Sequence, residues 1–290
     1  MAIVRITEFT DPGCPWGWSA EPFRRRLMWR YGDQIEWRLR MVVLADTRKD
    51  YEDKGMTPQR LSSEFETISR DHGMPMDSSL REAVAATAPA CHAVVAIRLH
   101  APDAERSILR ALRVRHFAGE LLDQRATREG AADDARLDSR ALEGWMLSDE
   151  TQRALDEDRE AARNPSAAAL AIDHKLAAAD GGRRYTCPSY EIVRLADGMQ
   201  IDVPGFQPYD AYEVALANLM PEATLREPPD SMLELLDWAG EPLATREVAV
   251  VCEIEHDEAR QRLGRVAVER HLGFDGLWSA PGLPRLRRAF

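Results

Sequence analysis

Cys14-Pro15-Trp16-Gly17 is the stretch of this 290-residue chain best equipped for chemistry. It lies between an apolar, strand-like run, Ile3-Val4-Arg5-Ile6-Thr7-Glu8-Phe9, and a helix-like one from Ser19 to Tyr31. A thiol at that junction sits at a helix N-terminus, where unpaired backbone N–H groups and the helix dipole favour negative charge. Such a setting lowers the thiol pKa and supplies the thiolate, the nucleophile of thiol chemistry. Pro15 suits the first helical turn, because the N–H it lacks has no partner there. The usual redox form of such a site is Cys-x-x-Cys. Here Gly17 stands where the second cysteine would be.

The remaining cysteines, Cys91, Cys187 and Cys252, are widely spaced in a chain too long to need disulfide staples. Free thiols in a reducing compartment are the expectation. Cys252 and His256 lie four residues apart, but nothing nearby completes a metal-ligand set, so no metal site is expected. Thirty-eight Lys and Arg against 49 Asp and Glu give a formal charge of -11. That balance argues against nonspecific nucleic-acid or anionic-membrane binding. No apolar run approaches the roughly 20 residues of a membrane span. The N-terminus lacks a basic stretch followed by a long apolar core, so a cytoplasmic location is expected.

The elements that must position Cys14 are legible in outline. Ile35 to Met41 alternates with apolar residues at odd positions, a strand with one buried face. Strand–helix–strand favours a parallel pair with a crossover. From Pro58 to about Ala179 the pattern is helical. Runs over Ala104–Phe117, Ser139–Leu147, Asp149–Ala162 and Pro165–Leu176 support it. Tyr190–Leu195 and Met199–Val203 flank Ala196-Asp197-Gly198, a hairpin signal. A helix from Pro208 to Met220 follows. Residues 221–230, with Pro228-Pro229, form a linker. The tail, 231–290, has helices over Met232–Trp238, Thr245–Cys252 and Asp257–His271, then Phe274–Trp278. It resembles a small winged-helix module. From Glu241 to Phe290 eight arginines face eight acids, too neutral for a DNA reader. Arg285, Arg287 and Arg288 read as a frayed end. A docking or dimerisation role is expected for the tail, so a homodimer is one arrangement it allows.

Three local matches carry a family resemblance: Asp11-Pro12-Gly13-Cys14-Pro15-Trp16, Tyr185-Thr186-Cys187-Pro188-Ser189 before the hairpin, and Gly205-Phe206-Gln207-Pro208 entering the helix after it. A weaker one is Cys91-His92 in the helical insert. With this element order, the chain resembles the DsbA-like branch of the thioredoxin superfamily, especially the FrnE-like oxidoreductases. Kappa-class glutathione transferases and 2-hydroxychromene-2-carboxylate isomerases share the architecture. The resemblance spans about Ile3 to Met220. It implies an α/β fold: a thioredoxin-like part, 1–57 and 181–220, with an all-helical insertion, 58–180. It also implies that Cys14 is the attacking thiol, that Pro188 is a cis-proline facing it, and that Thr186, Cys187 and Pro188 bind a peptide or a small thiol such as glutathione. No tightly bound cofactor is implied. Asp11 and His92 are candidate accessory residues.

The departure at Gly17 shapes the expected chemistry. A dithiol site attacks a disulfide, forms a mixed disulfide and releases product internally. With Gly17, release falls to a second small thiol, as in monothiol exchange, or to another protein cysteine, Cys187. Alternatively the site holds a thiol cosubstrate for a transferase or isomerase reaction. Cys187 reads first as a packing residue, since disulfide geometry is narrow. Cys91 and Cys252 read as core, and Trp16 and Trp18 as an apolar rim over the thiol or as packing. The principal expectation is a thiol–disulfide oxidoreductase acting on a small-thiol or protein disulfide. A non-catalytic thioredoxin-fold binding protein is the alternative.

Overall fold

The computed structural model describes residues 2–179 and 181–282. The expectation for Arg285, Arg287 and Arg288 lies outside them. Strand β1 (Val4–Thr10) leads through Cys14 into α1 (Pro15–Ser19) and α2 (Glu21–Tyr31), and the chain returns as β2 (Ile35–Met41). The expected single helix is therefore two. Pro22 removes one backbone donor, and the break falls at Ala20.

After β2 come α3 (Arg48–Asp53), α4 (Pro58–His72), α5 (Ala88–His100), α6 (Glu105–Phe117), α7 (Arg125–Asp134), α8 (Ser139–Met146), α9 (Asp149–Ala162) and α10 (Ala167–Leu170). Residues 73–87 between α4 and α5 carry no helix or strand. Two expectations need correction here. The run from Pro165 to Leu176 is helical only over α10, and the insert is not all helical. Leu176–Ala179 is strand β3, paired antiparallel with β4 (Gly182–Tyr185). The apolar-to-small pattern at 165–179 suits either state, and pairing with β4 decides it. The insert packs on its own core of Val94, Ile97, Ile108, Leu112 and neighbours, which also takes Leu39 and Met41 from β2.

Strands β5 (Ser189–Arg194) and β6 (Gln200–Val203) then form the hairpin, followed by α11 (Tyr209–Leu219). The main sheet has the order β2-β1-β5-β6. β1 and β2 are parallel, and the other pairs are antiparallel. Val4, Ile6, Ile192, Leu27 and Leu216 bury one face of the sheet against α2 and α11.

The tail forms α12 (Met232–Ala239), β7 (Leu243–Ala244), α13 (Thr245–Val251), α14 (His256–Val266), β8 (Val268–Leu272) and β9 (Asp275–Ser279). Its sheet order is β7-β9-β8. Helix, strand, two helices and a hairpin is a winged-helix-like order. The helix expected over Asp257–His271 stops at Val266, because Val268–Leu272 pairs with β9. The tail is packed on the rest of the chain. Trp29 of α2 belongs to its apolar core. Residues 221–230 are also tied down, since Glu227 O accepts from Trp29 Nε1 at 2.8 Å and Arg226 lies over the Trp29 ring.

A buried ionic network joins the three parts. Glu8, Glu21, Arg24, Arg25, Arg110, Arg113 and Glu247 are each 5% exposed or less. Glu21 pairs with Arg24 and Arg113. Arg110 Nη2 donates to Glu247 Oε2 of α13 at 2.6 Å, and Arg25 pairs with Glu241 and approaches Glu247 at 3.6 Å. With the half-buried Glu241, four carboxylates face four guanidiniums. That balance is what makes burying so many charges tolerable.

Candidate active site

Cys14 is the N-cap of α1, and its sulfur accepts from Gly17 N–H at 3.4 Å. As a thiol it donates to the Cys187 carbonyl, also at 3.4 Å. The strand-then-helix placement aims one free N–H, that of Gly17, at the sulfur. The Cys187–Pro188 peptide is cis. The loop holding it is fixed from both sides. Thr186 Oγ1 donates to Lys175 O, Ser189 Oγ donates to Thr186 O, and Gly205 N–H donates to Ser189 Oγ. The Tyr185–Ser189 and Gly205–Pro208 motifs thus form one assembly.

Cys14 and Cys187 line one cavity of about 290 Å³. Its walls are mainly apolar, with Trp16, Leu44, Val84 and Met56 among them, and Thr186, Arg184, Glu64 and Tyr51 add polar groups. Trp16 forms part of the rim and is 40% exposed, edge-on to His72 and tilted against Phe206. Trp18 does not join it. It is buried, stacked on Phe117, with Nε1 donating to Pro75 O.

Electrostatics separate the two thiols. The Cys14 thiol is held below its ordinary value, first by the hydrogen bond from the Cys187 side chain and further by Gly17 N–H and the Arg113 guanidinium. Those effects outweigh its burial and the negative charge of Asp11. Burial pushes the Cys187 thiol well up, and the Cys14 sulfur adds to the rise. Burial also keeps Cys91 and Cys252 protonated, Cys252 at about 11. The Tyr51 phenol is pushed up by burial and by the fields of Asp11, Cys14 and Cys187, so it stays neutral in the cavity wall. His116, also on the wall, is buried and pushed down to about 3, neutral at ordinary pH.

The accessory candidates separate. Asp11 is fully buried and ties the site together. Its Oδ1 accepts from Gly13 N–H at 2.7 Å, and its Oδ2 from Leu44 N–H at 2.9 Å, Thr87 Oγ1 at 2.8 Å and Cys91 Sγ at 3.4 Å. His92 is not among the residues lining the cavity. Cys91 faces Asp11, and one step of about 100° round the helix carries His92 to another face. There its charged neighbours are Arg159, Asp156 and Arg128, and burial holds its pKa down. Among the described residues no group of three or more metal-ligating side chains comes together.

Arg113 was not foreseen from sequence. It is fully buried on α6, donates to Thr10 Oγ1, pairs with Glu21 and lies against Gly17. A Cβ at position 17 would meet Arg113 Nη2 at 3.0 Å and Thr10 Oγ1 at 3.2 Å. The slot of a second motif cysteine is therefore crowded by an arginine that its partners hold in place. Gly17→Cys is expected to destabilise the chain. Overpacking costs about 1–3 kcal/mol, against a helix-propensity gain of about 1 kcal/mol on replacing glycine. Equilibrium denaturation measures this. A variant as stable as the parent that also forms a 14–17 disulfide in full yield would contradict it.

No protein-family model matches the chain. Its sequence is 27% identical over 283 residues to the ClpXP adapter protein SpxH of Halalkalibacterium halodurans, covering 93% of this chain and 84% of that protein. Among solved structures, a putative protein disulfide isomerase from Nitrosomonas europaea superposes with a TM-score of 0.54 at 16% identity, over 75% of this chain and 96% of that one. The cytosolic disulfide reductase DsbM from Pseudomonas aeruginosa, a protein also solved with GSH, gives 0.53 at 16% identity, over 76% and 100%. Among the described residues no helix is long and apolar enough to cross a membrane. The chain has the DsbA-like thioredoxin fold with a largely helical insertion, followed by a winged-helix-like tail.

Proposed function

We propose that this chain is a cytoplasmic thiol–disulfide oxidoreductase in which Cys14, the one cysteine of Cys-Pro-Trp-Gly, attacks a disulfide and a low-molecular-weight thiol such as glutathione takes part in the exchange. The observation that carries this reading is the Cys14 sulfur at a helix N-cap, its pKa held down, beside the Cys187 carbonyl in a mostly apolar cavity. Thr186 and Cys187, in the loop of the cis peptide to Pro188, form the wall that holds the incoming thiol or peptide, and Trp16 shields one side. Arg184 and Glu64 supply charges of both signs for the polar ends of a small peptide thiol. The DsbM structure with GSH supports a glutathione-sized cosubstrate. The test is turnover of a peptide–glutathione mixed disulfide in the presence of reduced glutathione. Catalysed exchange is expected, and a rate equal to buffer alone would sink the reading.

A second reading is a protein-binding adapter, with thiol chemistry secondary. It is favoured by one observation: the likeness to SpxH extends over 93% of the chain, whereas the oxidoreductase structures cover about three-quarters. In that reading the tail is the docking module, and binding to a partner protein is indifferent to Cys14→Ser.

A further inference from the structure

We infer that Cys187 is the resolving thiol for Cys14, so that two cysteines 173 residues apart make a redox pair that the Cys-Pro-Trp-Gly motif alone lacks. The inference rests on Cys14 being the attacking thiol, as proposed above. Four observations carry it. The Cys14 sulfur lies 3.4 Å from the Cys187 carbonyl oxygen, and both cysteines belong to one buried cluster with Phe9 and Tyr185. Both face one cavity. The position a motif cysteine would use is crowded by Arg113 and Thr10, which a Cβ there would meet at 3.0 and 3.2 Å. The other cysteines are placed elsewhere: Cys91 is hydrogen-bonded to Asp11 outside the cavity lining, and Cys252 packs beside the tail core.

The steps balance. Cys14 thiolate attacks one sulfur of a disulfide R–S–S–R′. The Cys14–S–R bond forms, the substrate S–S bond breaks, and R′–S⁻ leaves and takes up a proton. Cys187 then gives up its proton to solvent and attacks the Cys14 sulfur. The Cys14–Cys187 bond forms and R–S⁻ leaves. The substrate gains two electrons and the protein pair loses two. Two equivalents of a low-molecular-weight thiol reduce the pair again and leave as their own disulfide. The order of events fits the surroundings. Burial keeps Cys187 protonated, and while Cys14 is a thiolate its charge adds to that. Once Cys14 is tied up in a mixed disulfide that charge is gone, and Cys187 ionises more easily at the moment its attack is needed.

The test exposes the reduced full-length chain to oxidised glutathione, alkylates it, and maps peptides without reduction. The expected product is a Cys14–Cys187 link, two thiols lost per chain, and little glutathione retained. In Cys187→Ser, and in Cys187→Ala as a second variant, the Cys14–glutathione adduct becomes the major product. A wild-type chain that carries glutathione on Cys14 with Cys187 still alkylated would overturn the inference and leave Cys14 as the attacking thiol. A chain in which Cys14 stays unmodified throughout would overturn both.

Discussion

Glu21→Ala is expected to lower the stability of this chain by about 3–5 kcal/mol, the cost of removing one partner from a buried ion pair. Glu21 pairs with Arg24 and Arg113 and lies 3.9 Å from Arg110. Burial alone would push its carboxyl up, but the arginines around it hold it well below the carboxylate range. Without it, three buried guanidiniums face each other with Glu8 at 3.8 Å as the nearest remaining counter-charge for Arg24 and Arg113. Because the folded pKa is depressed, the stabilisation is present above the unfolded value of about 4.3 and is lost as pH falls through the depressed one. Equilibrium denaturation of the two proteins at neutral pH, and again below about pH 4, measures both effects. A loss below about 1 kcal/mol, the range of an exposed pair, would mean that the network is not buried in solution. The same substitution frees Arg113, so the field on Cys14 changes with it.

Cys14→Ser is expected to reduce disulfide exchange by on the order of 10³-fold or more, as removal of a nucleophile does. The hydroxyl is a poor nucleophile at neutral pH and forms no stable bond to a disulfide sulfur. The fold should survive, because serine is a favoured N-cap and can accept from Gly17 N–H as the sulfur does. Exchange rate and thermal melting, read on the same preparation, separate loss of chemistry from loss of structure. A folded Cys14→Ser protein that keeps half its exchange rate would place the chemistry elsewhere.

Much of the frame was legible because its signals are local. Alternation at Ile35–Met41 and the Asp197-Gly198 turn announce β2 and the β5–β6 hairpin within a few residues. Cys14 at a strand-to-helix junction is likewise a local pattern. What the sequence hides is long-range. Arg113 and Gly17 are 96 positions apart, and nothing beside either residue says that they touch. Glu247 shows no sign of reaching Arg110, 137 residues away, so in sequence the tail reads as more separate than it is. Leu176–Ala179 and Val268–Leu272 carry too few residues for periodicity to decide, and strand pairing settles them. Cys91-His92 reads as a site pair in sequence, but one residue along a helix is a different face.

In the proposed function Cys14 acts as a thiolate that the fold keeps reactive. That reactivity is tested most directly by the pH dependence of Cys14 alkylation by iodoacetamide, followed by peptide mapping, with Cys14→Ser as the blank. A lowered pKa means that the anion persists to lower pH. Labelling should therefore be rapid at neutral pH and fall only as pH drops well below the free-thiol value of about 8.5. A midpoint at or above that value, or a Cys14 that labels only after unfolding, would contradict the account.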